Sequence, residues 1–185
     1  MKENNIIDMY GKANVAGRLK IIWDNYAKIP KELMKAEKII IYKIKAEREY
    51  IRSHNRENLS TRVQTSVISN PTESEALDNI LLEEAFITGR IDAKFVENIE
   101  EIDGYREDIR RINNMRMDYE LFTVLIETLE EKEVRIIKPF LLHEKSGYEL
   151  ADQENITYAA VRKRIEKVKR IIYGEMIECM EYLRK

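Results

Sequence analysis

The sequence predicts an all-α protein. Helix-breaking residues are scarce, with 6 glycines and 3 prolines in 185 positions. Charged residues make up 36 % and apolar ones 44 %, a balance suited to long solvent-washed helices around a thin core. Apolar residues also recur at three- and four-residue intervals, the period of one helix face.

The first expected helix carries Ala16, Leu19, Trp23 and Tyr26 on one face. Pro30 interrupts it. A second helix is expected from near Lys31 to about Arg52, with Ile40, Ile41, Ile44 and Ile51 on its apolar side. Ser53 to Glu73 is rich in Ser, Thr and Asn and reads as a linker or extended loop. Thr72 and Glu75 have capping-box spacing, so a helix should start there. Its expected inner side is Leu77, Ile80, Leu81 and Ala85, and Gly89 is placed to end it. The next helix should start near Asp92, with Phe95, Ile99, Ile102, Tyr105, Ile109 and Ile112 on one face and a bend at Gly104.

Four helices are expected from Tyr119 onward. Tyr119, Phe122, Ile126 and Leu129 mark the first, and Val134, Ile137, Phe140 and Leu141 the inner side of the second. Pro139 should kink or end that second helix. A short third and a long fourth follow, in the stretch "YELADQENITYAAVRKRIEKVKRII". Their spacing is that of a helix-turn-helix. Ala151 is small where two helices must cross. Asn155 falls where the turn needs a left-handed residue, and asparagine tolerates that conformation next best after glycine. Ile156 should plug the turn, Thr157 should cap the new helix, and Leu150, Val161 and Ile165 should face inward.

The same region, from Tyr119 to about Ile172, resembles the region 4 promoter-reading domain of bacterial sigma-70-type factors. The matching residues are Leu129, Glu131 to Val134, Gly147, Glu149-Leu150-Ala151 and Val161-Arg162-Lys163-Arg164-Ile165. Glu154 and Asn155 depart from that pattern, where an apolar residue and glycine are usual. No counterpart of the promoter-melting region 2 segment is present in the sequence. In layout, the whole chain resembles the ArpU/RinA-type group of phage and prophage regulators. The resemblance implies N-terminal helices and a helical spacer joined to a four-helix, sigma-region-4-like helix-turn-helix domain. The expected segments are 1–56 (N-terminal helices), 57–72 (linker), 73–118 (helical hairpin or spacer) and 119–185 (helix-turn-helix domain with an extended last helix). The implied role is activation of late phage genes together with host RNA polymerase.

Charge is unevenly spread. The formal net charge is −2, yet Arg162 to Arg170 holds six basic residues against one acid, a local +5. Lys31 to Arg52 is +3, and Glu73 to Asp108 is −9. A helix entering the major groove needs side chains that reach base edges, and basic flanks for phosphate. Double-stranded DNA is therefore the expected partner. Tyr158, Ala159, Arg162 and Lys163 should project from the exposed first turns, Arg162 as a bidentate guanine contact and Tyr158 and Ala159 beside thymine methyls. Ser146 and Tyr148 are placed for phosphate, next to the third helix's N-terminus. Thr157, at the start of the fourth helix, belongs to the same expected DNA-binding set. Lys167, Lys169 and Arg170 should add positive field.

Other chemistry is not expected. His54 and His143 lie far apart without ligand-spaced partners, so no metal is expected. "KSGYE" lacks the pattern of a phosphate-binding loop, and no nucleophile motif occurs, so neither an enzyme nor a cofactor is expected. No apolar run is long enough to span a membrane, and "MKENNIIDMYGK" lacks the pattern of a signal peptide. With Cys179 as the sole cysteine, the cytoplasm is the expected compartment. Two other readings stay open: a DNA-packaging protein of the small terminase type, and a helical adaptor that grips RNA polymerase. The stripe Val161, Ile165, Val168, Ile172, Met176, Cys179 and Leu183 runs along one face of the last helix. Its end, 172–183, must be covered either by a second subunit as a homodimer or by the chain's own N-terminal helices.

Overall fold

The computed structural model describes residues 5–57, 71–92, 99 and 101–182. Among these the protein is all-α: eight helices and no strand. They are α1 (Ile6–Lys12), α2 (Val15–Asn25), α3 (Ile29–Glu57), α4 (Pro71–Thr88), α5 (Ile102–Glu127), α6 (Glu131–Leu141), α7 (Gly147–Gln153) and α8 (Tyr158–Tyr182). The chain forms two compact units, one of Met1–Glu32 with Met115–Lys185 and one of Leu33–Asn114. These units cut across the segments expected from the sequence. Residue 118, the expected end of the spacer, falls inside α5.

In the first unit, α1 and α2 are separate short helices, each with its own asparagine cap. The Asn5 side chain accepts from the Ile7 backbone N–H (3.1 Å) and that of Asn14 from Gly17 (2.9 Å). The expected face of α2 holds at Leu19 and Trp23, but Ala16 is exposed and Ile22 is buried instead. Trp23 meets Phe122 edge-on (6.2 Å between centroids, 80°) and Tyr173 likewise (6.1 Å, 78°). Tyr26 lies against Tyr119 and Phe122, and its hydroxyl pairs with that of Thr123 (3.1 Å). The Tyr10 hydroxyl donates to Asp118. Burial, and then the Asp118 carboxylate, push its ionisation above the usual tyrosine range.

This packing decides what covers the last helix. Ile172, Met176 and Met180 of α8 are buried within the single chain, and α2 packs against α8. The stripe at 172–183 therefore does not call for a second subunit through that face. Cys179, expected on the stripe, is exposed, and Met180 takes the inward place. Leu183 lies outside the described residues.

The second unit centres on Leu33, Ile40, Ile44, Leu82, Phe86, Ile109 and Ile112. Ile41 and Ile51 of α3 are half-buried. An ion pair joins Arg48 to Asp78 (2.7 Å), Lys45 donates to Asn79 (2.6 Å), and the Tyr105 hydroxyl donates to Glu47 (3.0 Å). Asn113 is a buried polar side chain in this core. Its amide donates to the carbonyls of Phe86 (3.0 Å) and Ile87 (2.8 Å), satisfying the free end of α4. Gly89 ends α4 as expected: φ is +70°, and a Cβ there would sit 3.2 Å from the Asn113 side-chain oxygen.

Several expectations shift in this unit. α4 begins at Pro71, so Thr72 lies inside its first turn and is not its N-cap. Proline suits such a first turn, since its missing N–H has no partner to lose there. Leu77 and Ile80 are exposed, and the inward residues of α4 are Leu82, Ala85 and Phe86. Asp92 is not helical, and α5 runs unbroken from Ile102 through Gly104. Phe95 and most of the 57–72 linker lie outside the described residues.

Candidate nucleic-acid interface

α6, α7 and α8 belong to the first unit, and α8 packs on both α6 and α7. Ile136, Ile137 and Leu141 of α6 face inward, whereas Val134 and Phe140 are only half-buried. Pro139 lies inside α6, which ends two residues later. His143 then turns left-handed (φ +56°), and the Glu144 N–H reaches the Pro139 carbonyl (2.9 Å).

α7 starts with a reciprocal cap. The Ser146 hydroxyl accepts from the Glu149 N–H (3.4 Å), while the Ser146 N–H donates to the Glu149 carboxylate (2.7 Å). That backbone donor holds the Glu149 carboxyl below the usual range. The pattern Ser146-Gly-Tyr-Glu149 was available in the sequence as a capping signal.

The turn after α7 is the one expected. Asn155 has φ +50°, and the Ile156 N–H bonds to the Ala151 carbonyl (3.0 Å) across it. That bond closes the helix end in the manner of a Schellman turn. Leu150, Ala151, Val161 and Ile165 are buried, and Ile156 is half-buried. Thr157 caps α8, its hydroxyl accepting from the Ala160 N–H (3.2 Å).

The anticipated contact residues separate into three groups. Tyr148, Tyr158, Ala159, Arg162 and Lys163 are exposed together over the starts of α7 and α8. Arg162 and Lys163 have no ion-pair partner among the described residues, so their charge is open to solvent. Ser146 and Thr157 are also exposed, but each hydroxyl already accepts a capping bond. The remaining basic residues are engaged elsewhere. Lys167 pairs with Glu133 of α6 (2.9 Å), and that bond holds its ammonium above the usual lysine range. The Lys169 ammonium sits over the rings of Trp23 (4.9 Å) and Tyr173 (5.4 Å). Arg170 bonds to the Glu166 carbonyl (3.4 Å).

One relationship had no signal in the sequence. The Tyr148 and Tyr158 rings stack, with centroids 4.3 Å apart and planes 10° from parallel. Gly147 permits it, because a Cβ there would lie 2.8 Å from a Tyr158 ring carbon. Nothing in local spacing marks two tyrosines ten residues apart as neighbours.

Among the described residues no cluster of His, Cys, Asp or Glu is arranged to hold a metal ion, and no helix is long and apolar enough to cross a membrane. No protein-family model, curated protein or solved structure matches the chain significantly.

Proposed function

We propose that this chain is a sequence-specific, double-stranded DNA-binding regulator of transcription. α8 would lie in the major groove, and α7 would cross the backbone. The observation that carries the reading is the turn at Asn155. It sets two short-coupled helices around Ala151 and leaves Ala159, Arg162 and Lys163 outward on the first turns of α8. A left-handed residue also follows α6, at His143, so what sets this pair apart from an ordinary antiparallel one is the combination of that turn with the small, buried Ala151 and the outward Arg162 and Lys163.

Within this reading Arg162 contacts a base edge and Lys163 a phosphate. The stacked tyrosines form one flat aromatic surface between the two helix starts. The capped hydroxyls of Ser146 and Thr157 chiefly set helix geometry. Lys167, paired with Glu133, and Lys169, over the Trp23 and Tyr173 rings, act first within the fold and only secondarily through long-range charge. Partnership with host RNA polymerase and a place in late phage gene control rest on the resemblance to region 4 and to the ArpU/RinA-type group alone. The test is selection of duplexes from a random pool, followed by salt titration of the winners. An enriched motif and a steep fall of affinity with salt are expected. Recovery of no motif would overturn the reading.

A further inference from the structure

The outward side of α4 is apolar where a solvent-facing helix should be polar. Leu77, Ile80 and Ile87 are 55 to 74 % exposed, on the side opposite the buried Leu82, Ala85 and Phe86. A helix apolar on both faces needs a cover for the second one. α3, in the same compact unit, has a matching feature. Ile39, Tyr42 and Tyr50 are 46 to 74 % exposed on the side away from the buried Leu33, Ile40 and Ile44, and the exposed Met34 flanks them.

The charges around these two stripes are opposite. α4 carries five acids and no basic residue, while α3 carries eight lysines and arginines against five acids. Lys35 and Lys38 are exposed beside Met34, Ile39 and Tyr42, and Glu83 and Glu84 beside Ile80 and Ile87. None of these four has an ion-pair partner among the described residues. Arg48 to Asp78 and Lys45 to Asn79 join the two helices. Each chain thus displays both an acidic-apolar stripe and its basic-apolar complement.

We propose that the unit Leu33–Asn114 is a homodimerisation module: the outer stripe of α4 on one chain seats on the outer stripe of α3 on a second copy. A twofold axis makes both contacts at once and closes the assembly. A second copy covers both stripes, because each chain carries both halves of the contact. This surface is separate from the α8 stripe, which the chain covers itself, and it does not depend on DNA binding.

The test is sedimentation equilibrium of the full chain at tens of micromolar, with far-UV circular dichroism as the folding control. The wild type should have twice the chain mass, and the dimer should weaken as salt screens its exposed charges. Ile80→Glu with Ile87→Glu should give a helical monomer. Lys35→Glu with Lys38→Glu, and separately Glu83→Lys with Glu84→Lys, should each raise the dissociation constant about tenfold or more. Mixing those two charge variants should restore dimers, because each then offers what the other needs. A wild type that stays monomeric overturns the proposal, whatever protein is later found on the stripe. So do charge variants that dimerise as tightly as the wild type, or a mixture that fails to recover.

Discussion

Tyr148 and Tyr158 stack with their ring planes 10° from parallel, and Gly147 supplies the space in which they do so. The start of α7 is therefore fixed to the start of α8 by an aromatic contact as well as by the turn between them. Gly147→Ala puts a methyl 2.8 Å from the Tyr158 ring, so the ring must swing away. The expected results are a changed tyrosine signal in near-UV circular dichroism and a stability loss of about 0.5–1.5 kcal/mol, the worth of an aromatic pair. Tyr148→Ala should lose a similar amount. A near-UV spectrum of Gly147→Ala that overlays the wild type would contradict the stacked arrangement.

Asn155 holds a backbone conformation that a residue with a Cβ adopts at a cost. Its φ of +50° lies in the left-handed region. Asn155→Ala should destabilise by about 1 kcal/mol, because alanine lacks asparagine's tolerance of that region. Asn155→Gly should be neutral or stabilising by up to about 1 kcal/mol. Urea denaturation of the three proteins orders them Gly, Asn, Ala from most to least stable, and a reversed order contradicts the turn geometry.

The N-terminal helices are part of the first unit's core. Trp23 touches both Phe122 of α5 and Tyr173 of α8, and Lys169 lies over its ring. Trp23→Ala should cost about 3–5 kcal/mol in chemical denaturation followed by circular dichroism, as large-to-small changes in buried aromatic sites do. Removing α1 and α2 should lower the thermal midpoint and expose Ile172, Met176 and Met180 to an apolar dye. A shortened chain as stable as the full one would mean that α8 does not rely on this cover.

These outcomes separate what the sequence could reveal from what it could not. The turn was legible because Asn155, Ala151 and Thr157 each answer a local backbone demand at a fixed offset. The inward face of α4 was not. Leu77 and Ile80 are three residues apart and Leu82 and Phe86 four, both spacings of one helix face, so periodicity alone fits either face. α1 escaped notice because seven residues give less than two full turns of pattern, and Gly11 interrupts them. The stripe on α8 was legible as apolar, but a stripe does not name its cover. Only the fold brings Trp23 against Tyr173. The basic cluster from Arg162 to Arg170 looks uniform in sequence. Glu133 and Trp23 divide it, and both arrive from distant helices.

Alkaline pH should destabilise the second unit through its buried phenol. Burial, reinforced by the hydrogen bond to Glu47, pushes the Tyr105 hydroxyl up to about 12 from an ordinary value of 10.0. A raised folded-state value favours the neutral phenol in the native protein. Its contribution is fully present below pH 10 and is lost as pH climbs from about 10 toward about 12. Tyr105→Phe removes the titrating proton, so its stability should fall less steeply over that window. Parallel curves for the two proteins would show that Tyr105 is not linked to folding.

The measurement that bears most directly on the central claim compares the wild type with Arg162→Ala by fluorescence anisotropy, on a selected duplex and on a scrambled one at fixed salt. Arg162 is exposed on the outer first turns of α8, without an ion-pair partner among the described residues. The account predicts a loss of about 1–3 kcal/mol on the selected duplex, relaxed preference at one base pair, and a much smaller change on the scrambled duplex. Equal affinity of the two proteins for the selected duplex would contradict it.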